Sequence, residues 1–353
     1  MYVENVRIKN FTVFKDCYTD FSKGVNIFIG ENGTGKTHLL KAIYSLDTNI
    51  YTDNDEYNNR YYYISLINKF PLGSGLLLNN KHDINNLWKI IFNNNIYLHF
   101  NAPPQIENND YILKHSDKIV NLYVLDILNN YPFPFNKKFT YIPCKDILTN
   151  SKGFISLYNK REVSFESVYY DILNKAFVPQ LRELDPCLED ITKKIENAIG
   201  GIVIQKDEVF FINYKDVGEV QFTMVAEGHK KLALLWLLIK NGEIDKDTIL
   251  LFDEPESNLN PKLTRVLVEI LLSLSRLGVQ IFLATHNNFI IEDFELQRKE
   301  NDKIKFHSFY FDEDKKNGVL IESSEYLNNI QHNSIEDKFE EQHLQSIEKA
   351  FKN

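Results

Sequence analysis

Cysteine is scarce in this sequence: the chain of 353 residues contains only Cys17, Cys144 and Cys187. They lie far apart and form no C-x-x-C pair, so the sequence supports neither a disulfide framework nor a zinc site. Long apolar runs are also missing, because the longest, from Leu232 to Ile239, is far shorter than the roughly 20 residues of a membrane-spanning helix. The start of the chain has no signal-peptide pattern. We therefore expect a cytoplasmic protein without a membrane partner.

Positive charge is in deficit. The 40 Lys and Arg residues are outnumbered by 49 Asp and Glu residues, which gives a net charge of −9. This balance argues against a protein whose whole surface binds nucleic acid, although it leaves room for a local basic groove. The apolar fraction of 43%, with 25 Phe and 19 Tyr residues, is sufficient for a sizeable core and excludes a disordered chain.

Asparagine is concentrated between Asn49 and Asn136, where sequence runs break both helical and strand periodicity. We interpret this stretch as an inserted lobe. Helical spacing near the end of the chain predicts a last helix, which we expect to pack on its own domain rather than against a partner. The expected division is a discontinuous head of residues 1–47 and 137–330, a lobe of residues 48–136, and a C-terminal helix of residues 331–353.

Short apolar strands alternate with helices on both sides of the lobe. Strands are predicted at residues 2–8, 25–29, 248–252 and 279–284, and helices at residues 37–46, 230–240 and 261–277. Apolar strands separated by helices predict an α/β fold with a mainly parallel sheet and helices on its faces. The successive strands of residues 201–224 add an antiparallel β subdomain.

The segment GENGTGKT, Gly30 to Thr37, lies between an apolar strand and a helix, which is the context that a P-loop requires. Glycines let the backbone approach a phosphate, and the helix N-terminus supplies partial positive charge. Lys36 is expected to reach the β and γ phosphates, and the Thr37 hydroxyl is expected to bind Mg2+. The predicted contacts to ATP are Gly30, Glu31, Asn32, Gly33, Thr34, Gly35, Lys36 and Thr37.

A second motif, TILLFDEPE at residues 248–256, is an apolar strand that ends in adjacent carboxylates. Ligands bind at the carboxyl ends of parallel strands. Asp253 is suited to contact Mg2+, while Glu254 can orient and deprotonate the attacking water. A third motif, LATHN, places His286 just past the next apolar strand, where an imidazole reaches the γ phosphate. We predict Glu254, His286 and Lys36 as catalytic residues, and Thr37 and Asp253 as metal ligands.

In that order, GENGTGKT, FDEPE, SNLNP and LATH resemble the ABC-type branch of P-loop ATPases, and the opening VRIKNFTVFKD resembles SMC, RecF and OLD-type proteins. The chain resembles most closely the small ABC-type AAA ATPases of bacterial genomes, several of which serve anti-phage defence systems such as Septu and PARIS. This resemblance implies a P-loop NTPase fold of ABC-ATPase type and hydrolysis of ATP to ADP and phosphate. It also implies a regulatory ATPase subunit that acts on a separate effector, a nuclease or a toxin.

In the resembled family, a signature segment at a helix N-terminus contacts the γ phosphate held by the opposite subunit. The resemblance assigns this segment to VAEGHKK, with Ala226, Glu227, Gly228 and Lys230 as nucleotide contacts. Ala226 stands where Ser is usual and Glu227 where Gly is usual, so a side-chain hydroxyl is missing. The family pattern implies a homodimer or higher homo-oligomer held together by sandwiched ATP.

A second function stays open, that of a RecF- or SMC-like DNA-binding ATPase of repair or recombination. Basic residues cluster after the lobe and would line a phosphate groove, although a solvated basic face is the simpler interpretation. The cluster consists of Lys137, Lys138, Lys145, Lys152, Lys160 and Arg161. Salt-dependent DNA binding that stimulates ATP hydrolysis would favour the repair function.

Overall fold

The computed structural model describes residues 2–44, 87–92, 97–99, 112–115, 118–121, 137–160, 163 and 165–352. The strands are β1 (Val3–Phe11), β2 (Phe14–Asp20), β3 (Val25–Gly30), β4 (Leu87–Phe92), β5 (Tyr97–His99), β6 (Ile112–His115), β7 (Lys118–Asn121), β8 (Lys138–Ile142), β9 (Gly201–Lys206), β10 (Val209–Tyr214), β11 (Gly218–Gln221), β12 (Thr248–Asp253), β13 (Gln280–Thr285), β14 (Ile304–Phe311) and β15 (Val319–Ser324). The α-helices are α1 (Lys36–Tyr44), α2 (Phe154–Asn159), α3 (Ser167–Phe177), α4 (Pro186–Ile199), α5 (Glu227–Lys240), α6 (Pro261–Arg276), α7 (Asn288–Gln297) and α8 (Ser334–Lys352). None of the helices in these ranges is long and apolar enough to cross a membrane.

The central sheet has the strand order β15-β14-β3-β13-β12-β8. The strands from β14 to β8 pair in parallel, and β15 joins the edge in the antiparallel sense. Every residue of β3, β12 and β13 is buried, which is the pattern of strands covered on both faces. The predicted α/β fold with a mainly parallel sheet is therefore confirmed.

Two hydrophobic cores lie on opposite faces of this sheet. Successive strand side chains point to opposite faces, so β12 contributes Ile249 and Leu251 to one core, and Leu250 and Phe252 to the other. The first core is completed by α1 with β1 and β2, and the second by α4, α5 and α6. Packing on both faces thus holds the ends of β3 and β12 in fixed positions along one edge of the sheet.

Besides the two-stranded antiparallel sheet β6-β7, the described residues form two smaller antiparallel sheets in addition to the central one. The order β11-β10-β9 matches the antiparallel β subdomain predicted for residues 201–224, and it packs on the second core through Val203, Phe210 and Ile212. The other sheet has the order β2-β1-β4-β5. Its β4 belongs to the stretch interpreted as an inserted lobe, and the backbone of β4 pairs with β1. Most of that stretch lies outside the described residues, and the division into domains stays a prediction.

The predicted C-terminal helix is present as α8. Its Ile335 packs against the core, and the Phe339 ring meets the edge of Phe289 at a centroid distance of 6.2 Å. The remaining apolar side chains are exposed: Leu344 by 60%, Ile347 by 39% and Phe351 by 86%. The expectation that this helix packs on its own domain is therefore wrong for its second half. The five-residue step from 339 to 344 carries the apolar positions to another side of the helix.

Candidate active site

The P-loop connects β3 to α1, as the motif requires. The first N–H groups of α1 have no partner within the helix, so they face the loop as donors. Lys36 is only 8% exposed, and its Nζ donates to the carbonyl oxygens of Gly30 at 2.6 Å and Glu31 at 2.8 Å. Burial lowers the pKa of Lys36, although the carboxylates of Glu254 and Asp253 oppose this effect. The Lys36 side chain thus folds back on the loop, and its ammonium group contacts the loop carbonyls.

Gly33 and Gly35 of this loop are glycines for different structural reasons. Gly33 has a φ of 83° and a Cβ placed on it would meet nothing within 4 Å, so it borders open space. Gly35 has a φ of 86°, but a Cβ there would lie 2.6 Å from Val13 Cγ2 and 2.7 Å from Phe14 Cζ. From the sequence, both glycines are expected to allow the backbone to approach phosphate. The structure gives Gly35 an additional role in packing the loop on the core.

The other loop residues differ in exposure. Glu31 and Asn32 are exposed, while Thr34 is 2% exposed and donates from Oγ1 to the Glu31 carbonyl at 2.9 Å. Thr34 therefore stabilises the turn of the loop. Glu31 and Asn32 are open to solvent, and their contact with ATP stays a prediction.

Thr37 and Asp253 meet at the carboxyl edge of the central sheet. Thr37 Oγ1 donates to Asp253 Oδ1 at 2.9 Å, and the Tyr141 hydroxyl donates to Asp253 Oδ2 at 3.3 Å. Asp253 is 8% exposed, and burial raises its pKa, while the Thr37 hydrogen bond lowers it. Hydroxyl and carboxylate oxygens suit Mg2+, which takes few protein ligands because phosphate oxygens and waters complete its octahedron. The described residues contain no cluster of three or more His, Cys, Asp or Glu that would form a closed metal cage.

Glu254 follows Asp253 in a strained backbone conformation, with a φ of 47°. Its N–H donates to the Ala284 carbonyl at 2.9 Å, and its own carbonyl accepts a hydrogen bond of 2.7 Å from Lys231 Nζ. Its carboxylate lies between two side chains: Oε1 is 3.3 Å from His286 Nδ1, and Oε2 accepts from Cys144 Sγ at 3.1 Å. The three predicted motifs thus converge on one edge of the sheet.

A buried network fixes the turn that carries His286. Thr285 Oγ1 donates to Glu256 Oε1 at 2.6 Å and accepts from the Asn287 N–H at 3.0 Å. Glu256 is 5% exposed, and burial raises its pKa. The sequence motifs assign no role to Glu256, Lys231, Tyr141 or Cys144. The parallel pairing of β8 with β12, which the sequence does not reveal, brings the residues after each strand to the same edge and places Cys144 beside Glu254.

The predicted signature segment opens α5. Ala226 is the N-cap, and no side chain caps this helix start in the described part of the chain. A Cβ on Gly228 would lie 3.1 Å from the Asn258 carbonyl oxygen and from Leu259 Cδ2, so the segment packs against the loop after Glu256. Lys230 is 4% exposed, and its ammonium is paired with Glu227 of the same chain. Lys230 is thus turned inward and not toward solvent.

Two family models match the chain. One, described as an AAA ATPase domain, matches residues 1–176, and the other, described as "AAA domain, putative AbiEii toxin, Type IV TA system", matches residues 125–292. The two overlap, and together they include all three motifs of the site.

Among curated relatives, the DNA replication and repair protein RecF of Lactobacillus gasseri is 56% identical over 46 residues, which is 13% of this chain and 12% of that protein. RecF of Clostridium botulinum is 46% identical over 44 residues, which is 12% of each protein. The matched part thus spans about an eighth of the length of these relatives.

Solved structures of SMC heads share the fold. The SMC head domain from Thermotoga maritima superposes with a TM-score of 0.50 at 16% identity and covers 92% of this chain and 100% of its own. An SmcHead bound to the C-winged helix domain of ScpA gives a TM-score of 0.50 at 13% identity, with 93% and 99% covered. The similarity extends over nearly the whole chain.

Proposed function

We propose that the chain binds ATP with Mg2+ at the P-loop and hydrolyses it between two copies of itself. The two overlapping matches to AAA ATPase family models and the fold shared with SMC heads support this proposal. One observation carries the proposal: the Thr37 hydroxyl lies 2.9 Å from Asp253 Oδ1, while the adjoining Glu254 carboxylate faces His286 at 3.3 Å. One carboxylate is thereby available to a metal and its neighbour to a water molecule.

Each residue then has a separate task. Bound Mg2+ neutralises phosphate charge, and Thr37 with Asp253 would hold it. Lys36 exchanges the carbonyl oxygens that it now contacts for phosphate oxygens, which relieves the cost of its burial. Glu254 orients the attacking water and takes up its proton, and His286 stands beside it for the γ phosphate.

The second copy would contribute the signature segment. The uncapped start of α5 at Ala226, Glu227 and Gly228 has N–H groups suited to the γ phosphate held by the partner. Lys230 reaches a phosphate only if it leaves Glu227, so we assign the contact first to the backbone. ATP would hold the dimer closed, and loss of the γ phosphate would release it.

We further propose that this switch regulates a separate effector, a nuclease or toxin, as the ATPase subunit of an anti-phage defence system. The description of the family model that matches residues 125–292 names a toxin–antitoxin system, which favours a part in such a system, although it applies the word toxin to the matched domain itself. The described residues also lack the cluster of metal-binding side chains that a nuclease centre within this part of the chain would need.

A RecF- or SMC-like ATPase that binds DNA is the second candidate, and the RecF matches and the SMC-head fold favour it. Two of the basic residues expected to line a DNA groove are already engaged by acids of the same chain. Lys137 Nζ lies 3.4 Å from Asp247, and Lys138 Nζ lies 3.0 Å from Asp245. These pairs reduce the positive charge that this stretch offers to phosphates.

The Glu254→Gln variant tests the proposed mechanism. It should bind ATP with wild-type affinity in calorimetry, lose hydrolysis, and elute as a stable dimer with ATP and Mg2+ in size-exclusion chromatography. Hydrolysis at the wild-type rate would refute the role of Glu254, and a monomer under these conditions would refute the ATP-held dimer.

The two biological roles are separated by one pull-down of the same variant from its native host with ATP. Co-purification of a protein encoded by a neighbouring gene supports the effector proposal. DNA recovery, together with salt-dependent stimulation of ATP hydrolysis by DNA, supports the repair function instead.

A further inference from the structure

We propose that Cys144 is a positioning residue for ATP hydrolysis: its thiol holds one oxygen of the Glu254 carboxylate so that the other oxygen faces His286. This inference rests on the proposed function of Glu254 in orienting water. It assigns a role to a side chain that carries none in the motifs of the sequence.

The sheet register brings the two residues together. In the parallel pair of β8 and β12, Ile142 lies opposite Phe252, so positions 144 and 254 come two residues after this matched pair on their respective strands. The resulting distance from Cys144 Sγ to Glu254 Oε2 is 3.1 Å. On its other side, the thiol lies 3.8 Å from Ser257 Oγ in the loop after the acidic strand. Cys144 is thus fixed between the two ends of the turn that contains Glu254.

The carboxylate is held from two directions. Cys144 contacts Oε2, and His286 Nδ1 lies 3.3 Å from Oε1, while the Glu254 side chain keeps 33% of its surface exposed. A water molecule therefore has an open approach to a carboxylate of defined orientation. Correct orientation of a reacting group contributes to rate because it removes unproductive geometries before the reaction.

A thiol is suited to this task by its chemistry. It is a weak hydrogen-bond donor without charge, so it fixes the direction of the carboxylate without adding a positive charge that would oppose proton uptake. Burial, together with the neighbouring Glu254, raises the pKa of Cys144, so the sulfur retains the proton that it donates. Serine would preserve this donor, whereas alanine and valine would remove it.

The test is a double-mutant comparison of steady-state ATP hydrolysis. Cys144→Ala should lower kcat by about tenfold, a loss of about 1.4 kcal/mol, with little change in KM for ATP. Cys144→Ser should retain at least half of the wild-type kcat. In a Glu254→Gln background, the small residual rate is followed with enzyme in excess over ATP, and Cys144→Ala should not lower it further, because the carboxylate that it positions is already gone. The exposed Cys187→Ala is the matched control and should leave kcat unchanged.

An unchanged kcat in Cys144→Ala would overturn the inference, and so would an equal fall in both backgrounds, which indicates a general structural defect. A change in KM without a change in kcat would also overturn it. Thermal unfolding is measured for each variant, and Cys144→Val replaces Cys144→Ala if the latter does not fold. Failure of the proposed function is distinguishable, because Glu254→Gln would then hydrolyse ATP at the wild-type rate whatever residue occupies position 144.

Discussion

The Thr37 hydroxyl donates a 2.9 Å hydrogen bond to Asp253 although the two residues are 216 positions apart in the chain. The cause is the strand order, in which β13 separates β3 from β12, so that both strands end at the same edge of the sheet. The loops that leave parallel strands all begin at a common edge, and this edge is where α/β proteins bind ligands.

Replacing Thr37 by Val should abolish Mg2+-dependent turnover. The variant loses the hydroxyl proposed as a metal ligand while it keeps the shape of the side chain, so we expect a fall in kcat/KM of about 100-fold or more. Coupled phosphate release measured over a Mg2+ titration checks this. Thr192→Val is the matched control, because that buried hydroxyl donates only to the Glu189 carbonyl of its own helix. Equal activity of the two variants would contradict the assignment.

Replacing Lys36 by Met should weaken ATP binding with only a small loss of thermal stability, from its two hydrogen bonds to loop carbonyls. The ammonium is buried with a lowered pKa, so its charge contributes little to folding and its function is to meet phosphate. Calorimetry should show a dissociation constant weaker by at least about tenfold, which corresponds to about 1.4 kcal/mol. Lys193→Met, at an exposed position on α4, is the control and should bind as the wild type does. A large fall in melting temperature for Lys36→Met alone would show that Lys36 is structural.

The parts of the site that the sequence predicted are those encoded by contiguous residues. The segments around Lys36 and Asp253 each combine a strand, a turn and reactive side chains within a few positions, and the structure brings them together as expected. Contacts made across the sheet were not predictable, because they depend on the register of strands far apart in sequence. Cys144 reaches Glu254 in this way, and Lys231 reaches it from α5, which packs on the sheet.

Two other features are visible only in the structure. The family resemblance implies Lys230 as a phosphate contact, which stays a prediction, and the side-chain conformation shows its ammonium paired with Glu227 of the same helix. Helical spacing correctly predicts α8, yet it does not specify which residues of the helix find a surface to cover. Local pattern therefore predicts elements and motifs, while the partners of single side chains require the fold.

Buried His307 should make stability depend on pH. It lies in β14 with hydrogen-bond partners Thr19 and Ser323 on Nδ1 and Asn26 on Nε2, and burial lowers its pKa to about 3. The unfolded chain takes up a proton at this residue below a pH of about 6.5, which the folded protein does only near the lowered value. The contribution of His307 to the free energy of unfolding is thus complete above a pH of about 6.5. Between that pH and the lowered pKa it falls with acidification by about 1.4 kcal/mol per pH unit.

Urea unfolding between about pH 4 and pH 6 measures this dependence. The His307→Gln variant should lose this part of the slope, although it is less stable at neutral pH because its buried partners are matched less well. His343→Gln, on the exposed face of α8, serves as the control and should keep the wild-type slope. Parallel curves for wild type and His307→Gln would contradict the prediction.

The two P-loop glycines should respond differently to alanine. Gly33→Ala adds a side chain at a φ of 83° but into open space, so we expect a cost of about 1–2 kcal/mol from backbone strain. Gly35→Ala has a similar strain at 86° and also sets its Cβ 2.6 Å from Val13 Cγ2 and 2.7 Å from Phe14 Cζ. Phe14 is 1% exposed and has little room to withdraw, so overpacking adds about 1–3 kcal/mol. Chemical denaturation of both variants should therefore show Gly35→Ala to be the less stable. Equal losses in the free energy of unfolding would contradict this prediction, because they would mean that the loop moves to accommodate the added methyl group without disturbing the core.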